Sequence, residues 1–234
     1  MLINAIRGGL SFVEIIIYLI SSLAVIFITM PIHEFAHGFV ATRLGDPTPR
    51  WQGRLTLNPF AHIDYMGAAA ILLFGIGWAR PVSVNPRYFK NPKRGMALTA
   101  IAGPVANILL AFVFMLLYGV VGTIMRLISN VIVIDGLAVF ITYIMFFFTY
   151  VAQISIYLAV FNLIPVPPFD GSRILFSFLP EKYYFKMMQY ERYIVIGLFA
   201  LLYVGVLDKP LSAITSVILD AVITIALFPF QFIA

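Results

Sequence analysis

The sequence predicts an all-α polytopic membrane protein, with about five transmembrane helices, a short re-entrant or interfacial segment, and a short β-strand or hairpin element near the functional site. Of its 234 residues, 62% are hydrophobic and only 11% charged, whereas a water-soluble domain carries roughly a quarter charged residues. The apolar residues gather into long runs, several exceeding the ~20 residues that cross a bilayer. The arginines and lysines fall mostly between those runs. The chain reads as one integral-membrane domain over 1–234, with a catalytic core at about 11–180 and two additional C-terminal helices at about 193–228.

Residues 11–44 read as a single helix, stopped by Gly45-Asp46-Pro47. This run is too long for a cleaved signal peptide. Residues 54–58, Arg-Leu-Thr-Leu-Asn, alternate as a short strand does. Residues 66–78 are apolar but short and glycine-rich, which favours a re-entrant segment over a full crossing. Residues 80–94 form a basic, proline-studded loop. The second and third crossings fall at about 95–127 and 136–163. A break follows at Pro165-Val166-Pro167-Pro168-Phe169-Asp170-Gly171, where three prolines remove backbone donors. Residues 172–179 suit a short helix, residues 181–192 are amphiphilic, and shorter spans at 193–207 and 211–228 close the chain. No internal repeat is present.

Fifteen lysines and arginines divide unevenly between the two sets of loops. If 66–78 returns to its own side, one set holds all but Arg7, Arg126 and Lys209. The positive-inside rule then puts the rich set in the cytosol, the amino terminus outside and the carboxyl terminus inside a prokaryotic cell membrane. The net charge of +5 is explained by these loops, so no nucleic-acid partner is expected.

The chemistry concentrates at His33-Glu34-Phe35-Ala36-His37. Histidines four apart project from one helical face and can share a metal ion, while Glu34 beside them can take a proton from the attacking water. Three ionisable groups on one turn of an apolar helix are costly unless a common partner explains them. The chain has no cysteine, so zinc would be held by nitrogen and oxygen alone. A catalytic zinc needs a third protein ligand and an open position. Asp170 is the candidate, although the same residue can instead cap the helix that starts beside Gly171.

Taken with Gly103-Pro104-Val105-Ala106-Asn107 and Asn162-Leu163-Ile164-Pro165-Val166-Pro167-Pro168-Phe169-Asp170-Gly171, the His-Glu-x-x-His stretch resembles the site-2 protease family of intramembrane zinc metalloproteases. The stretches Leu57-Asn58-Pro59-Phe60-Ala61-His62-Ile63-Asp64 and Gly77-Trp78-Ala79-Arg80-Pro81-Val82 resemble its small prokaryotic branch, which lacks a PDZ or nucleotide-sensing domain. The likeness runs over about 28–175. It implies one zinc ion per chain with Asp170 as third ligand, and Asn107 and Asn162 near the site, where an amide can orient substrate or steady an oxyanion. His62 can add a metal ligand or contact substrate, or simply be hydrogen-bonded.

The implied activity is hydrolysis of a peptide bond in or near a transmembrane segment of another membrane protein, as in regulated intramembrane proteolysis. The strand at 54–58 would hold the unwound substrate by edge pairing. The alternative is a non-proteolytic metal carrier or sensor using the same ligands. A carrier often shows paired repeats and needs access to both sides, and nothing on the outer side of this chain resembles a second metal site.

Overall fold

The computed structural model describes residues 11–74, 78–129 and 135–232. The elements are α1 (Phe12–Ala24), a π turn (Val25–Thr29), α2 (Met30–Arg43), α3 (Thr48–Trp51), α4 (Tyr65–Phe74), α5 (Pro92–Ser129), α6 (Asp135–Asn162), α7 (Asp170–Phe178), α8 (Glu181–Tyr203) and α9 (Asp208–Leu227). Four helical stretches are long and apolar enough to span a bilayer: Phe12–Arg43, Pro92–Ile128, Gly136–Asn162 and Asp208–Phe232. The protein is a multi-pass, helical membrane protein. The expected amino-terminal placement falls on residues outside those described.

The first span is continuous, but its middle is a π turn. Pro31 has no N–H to bond back along the helix, and its ring crowds the preceding turn. The widened turn accommodates this, with the Met30 amide bonding the Val25 carbonyl five residues back. From the same turn, the Thr29 hydroxyl meets the Ser155 hydroxyl of α6 at 3.1 Å.

The buried core lies between α5, α6 and α9. Phe114 and Met115 of α5 meet Val151, Ile156 and Phe161 of α6, with Leu211 and Val222 of α9 beside them. Ala111, Ala152 and Ala226 are fully buried, and such small side chains let membrane helices approach closely. On α5 the opposite face, Leu109, Val113, Leu117, Val120 and Ile124, is exposed, as a lipid-facing stripe requires. Helix α1 packs on α6, and α2 on α5.

One expectation is corrected here and another is not confirmed. Among the described residues there is no strand, so the β-element at 54–58 does not form. Its polar groups are used locally: Arg54 donates to the Ala61 carbonyl, the His62 ring to the Thr56 carbonyl at 2.9 Å, and the Asn58 amide to the Thr56 hydroxyl. These bonds fold the stretch into an irregular loop and leave no ladder to build. A fifth crossing is not confirmed: Tyr193 lies within α8, whose apolar part, Arg192–Leu202, is shorter than the four spans. The segment expected to be re-entrant contains α4, whose ten residues rise about 15 Å, half the hydrocarbon thickness; residues 75–77 lie outside the described set.

Residues 78–85, which have no regular helix or strand and end on an extended Asn85, run beside α2 and are tied down by their amides. Arg80 N donates to the His62 carbonyl at 2.7 Å, Val82 N to Glu34 at 2.8 Å, and Asn85 N to Asp46 at 2.7 Å. Asp46 is fully buried, and its other oxygen accepts from Thr48 N. Replacing it removes acceptors from two amides, at about 2–3 kcal/mol for charge-assisted bonds. Asp46→Ala is therefore expected to lower the thermal midpoint in detergent and to speed proteolysis within 78–90, with Asp46→Asn intermediate. An unchanged midpoint and digestion pattern in Asp46→Ala would show that this tether does not hold the stretch.

Candidate metal centre

Helix α2 presents His33, Glu34 and His37 toward α5 and α7. All are buried, at 7%, 8% and 5% exposure, as is Asp170 at 9%. The His37 Nδ1–H donates to the Thr99 carbonyl of α5 at 2.7 Å, which fixes the tautomer and leaves the Nε2 lone pair inward. His33 Nε2 stands 3.0 Å from His37 Nε2. Asp170 Oδ2 lies 3.3 Å from His33 Nε2 and 3.2 Å from His37 Nε2.

Local sequence produces this convergence. The prolines after α6 prevent its continuation, and the chain folds back. A Cβ on Gly171 would stand against the backbone carbonyls of Leu163 and Ile164, so only glycine permits α7 to start there. The N-cap of α7 is Phe169, with no side-chain cap. Asp170 is the first residue of that helix, and its carboxylate turns to the histidines, which decides against the capping alternative. On α5, a Cβ at Gly103 would collide with both Nε2 atoms; glycine there makes room for the imidazole pair.

Zinc fits this donor set. Ligand atoms about 2.0–2.1 Å from a tetrahedral ion stand about 3.3 Å apart, close to the three separations above. His33, His37 and Asp170 are the group among the described residues whose ligand atoms converge in this way. Three electron-pair donors this close repel one another unless a cation or a shared proton sits between them. Glu34 is adjacent rather than within the triad. One of its oxygens is held by the Val82 amide, and the other has no partner among the described residues.

These groups line one cleft of about 390 Å³, walled by α2, α6, α7 and the 78–85 stretch. Asn107 lines it too, 1% exposed, with a buried Oδ1 that no hydrogen bond satisfies. Asn162 also lines it, but its Nδ2 donates to the Leu158 carbonyl of its own helix. His62 does not line it and instead ties the 54–62 loop to the 78–85 stretch. Sequence reasoning missed the Thr99 carbonyl, the Val82 amide and Arg173 in the cleft wall. The first two are backbone groups, which no residue type reveals. Arg173 could have been found, three residues after Asp170 on the same helical face.

A buried two-histidine, one-carboxylate set with a free-standing glutamate, inside a bundle of membrane-length helices, defines a membrane-embedded metallohydrolase centre. The chain belongs to peptidase family M50, the site-2 protease family, whose profile matches residues 21–204. It is 43% identical over 176 residues to the Putative zinc metalloprotease YwhC of Bacillus subtilis (strain 168), covering 75% of each chain. It is 30% identical over 170 residues to the Putative zinc metalloprotease MJ0611 of Methanocaldococcus jannaschii, covering 69% of this chain and 72% of the relative. No solved structure gives a significant match. The protein is thus a membrane zinc metallopeptidase.

The Gly103 gap has a direct test. Gly103→Ala is expected to lose most of its zinc on purification, because the methyl occupies the ligand atoms' space. Gly197→Ala, with nothing within 4 Å of the added Cβ, should keep one zinc per chain. Elemental analysis of the two variants decides it, and full occupancy in Gly103→Ala would refute the packing account.

Proposed function

We propose that this protein hydrolyses a peptide bond in or beside a transmembrane segment of a membrane-protein substrate, as in regulated intramembrane proteolysis. His33, His37 and Asp170 hold one zinc ion, and Glu34 handles the proton. The observation that carries this reading is the position of Glu34: buried beside the triad, anchored through one oxygen to Val82 and otherwise unpartnered. Zinc, when bound, polarises the scissile carbonyl and makes water a competent nucleophile.

Glu34 takes the proton of the attacking water and delivers it to the leaving amine. The Val82 amide holds the carboxylate in place, so that little reorganisation is needed as the proton moves. Asn107 can turn its amide to the carbonyl oxygen as charge develops there. The apolar cleft walls limit bulk water around these groups.

A transmembrane helix must unwind locally before its carbonyl can be attacked. Residues 78–85 supply non-helical backbone at the cleft, with Trp78, Ala79, Pro81 and Val82 in its lining. The amides of Arg80 and Val82 bond inward, which leaves the edge carrying Ala79 and Ser83 for an extended substrate. This replaces the strand expected at 54–58.

The site is assigned to the cytosolic half of the membrane. The end of α2, the start of α5, the end of α6 and the whole of α7 lie together, and Lys93 Nζ donates to the Leu179 carbonyl. The loops here carry most of the basic residues.

Two measurements test this. Glu34→Gln should retain zinc and lose proteolysis by about 10²–10⁴-fold, whereas Asp170→Ala should lose zinc itself. Metal analysis, with mass spectrometry of membrane-protein fragments from cells carrying each variant, reads both. Substantial cleavage by Glu34→Gln would remove it as the base. For orientation, Ser83→Cys and Ser129→Cys, before and after the span formed by α5, each introduce the only thiol in a cysteine-free chain. An impermeant thiol reagent applied to intact cells should label Ser129→Cys and not Ser83→Cys, and the reverse pattern would invert the topology.

A further inference from the structure

Arg173 lies in the wall of the cleft, one helical turn beyond Asp170 on α7, and is half-buried. The close contacts of Asp170 are with His33 and His37, and no hydrogen bond or ion pair engages the Arg173 guanidinium among the described residues. Acids on the elements around the cleft have partners of their own. Asp46 accepts from the amides of Thr48 and Asn85, Asp64 from Gly67 N, Glu34 from Val82 N, and Asp170 faces the histidines.

The charge sum points the same way. Asp170 and Glu34 together balance the two positive charges of a zinc ion, so the loaded centre is neutral and Arg173 is left without a compensating acid among the described residues. Arg80, beside the lining residues Ala79 and Pro81, adds a second positive charge at the rim, where it is exposed. A half-buried guanidinium with five unused donors is best satisfied by a carboxylate, which it can bind through two parallel hydrogen bonds. During turnover, the occupant of this cleft is the peptide.

We propose that Arg173 is a specificity-determining residue that binds a carboxylate of the substrate, so that the enzyme selects peptide segments with a negative charge close to the bond it cuts. The carboxylate comes from an acidic side chain or from a free chain end, and both present the same two oxygens. This rests on the protease reading above.

The test uses the full-length, zinc-loaded protein in neutral detergent. The probes are synthetic transmembrane peptides of about 25 residues, identical except for one Asp, Asn or Lys scanned along the sequence, each with a free or amidated C-terminus. Cleavage is followed by mass spectrometry, and binding is measured in the Glu34→Gln background by fluorescence anisotropy. At one position the Asp peptide should exceed its Asn twin by about tenfold in both kcat/KM and affinity, the scale of one charge-assisted pair. Arg173→Gln should level that ratio, Arg173→Lys should retain a smaller preference, and Arg173→Glu should favour the Lys peptide. A preference that follows the free C-terminus instead of the scanned Asp assigns the carboxylate to the chain end.

Equal affinity for Asp and Asn peptides at every position, with no effect of the free C-terminus, overturns the proposal, as does a preference that survives Arg173→Gln unchanged. Loss of phosphatidylglycerol binding in Arg173→Gln without any peptide preference overturns it in favour of a lipid role. Cleavage of all peptides alike leaves the protease reading standing. Charge-selective binding by a zinc-loaded chain that cuts none of them overturns that reading and retains Arg173.

Discussion

The hydrogen bond from His37 Nδ1 to the Thr99 carbonyl sets the geometry on which the rest of the centre depends. It joins α2 to α5 at one depth: His37 lies six residues from the end of α2 and Thr99 seven from the start of α5, about 9 and 10 Å along their axes. One turn further along α5, Gly103 opens the space that the imidazoles occupy. Because the proton on Nδ1 is committed to Thr99, Nε2 is available as a ligand without any rearrangement. A carbonyl serves here better than a side chain would. It cannot change rotamer, and burial in the bundle removes competition from water.

The same economy of polar groups governs the cleft. Backbone at membrane depth must be bonded or line a wet cavity. Residues 78–85 meet this condition with the amides of Arg80, Val82 and Asn85 turned to His62, Glu34 and Asp46. The bond to Glu34 serves two functions at once, satisfying an amide and fixing the carboxylate beside the triad. In the proposed mechanism the loop joining α4 to α5 thereby orients the base, although none of its side chains is a ligand. Asp46 supports it from outside the cleft.

The parts of this structure legible in the sequence were those expressed in side-chain type and spacing. Histidines four apart on an apolar helix and an Asp-Gly pair after three prolines are unusual enough to indicate chemistry directly, and the structure brings them within 3.0–3.3 Å. The four long spans followed from apolar length. The strand at 54–58 failed because alternation over five residues is weak information. Arg54, Thr56 and His62 found partners within the loop itself. The shorter C-terminal span is not settled by length, because the eleven apolar residues Arg192–Leu202 are too few to define a crossing.

Pro31 links the local chain chemistry to the global arrangement. A straight α-helix from Phe12 to Arg43 would have to keep one buried stripe along its whole length, yet its first half packs on α6 and its second on α5. The π turn at Val25–Thr29 places one extra residue in a single turn, which changes the phase between the two halves by about one residue's rotation, roughly 100°. Tyr18 and Ser22 can then face α6 while His33 and His37 face α5. Thr29, bonded to Ser155, pins the turn where the change occurs. The proline two residues before the first histidine therefore does more than interrupt a helix. By removing one backbone donor it favours the wider turn, and the wider turn aims the metal ligands.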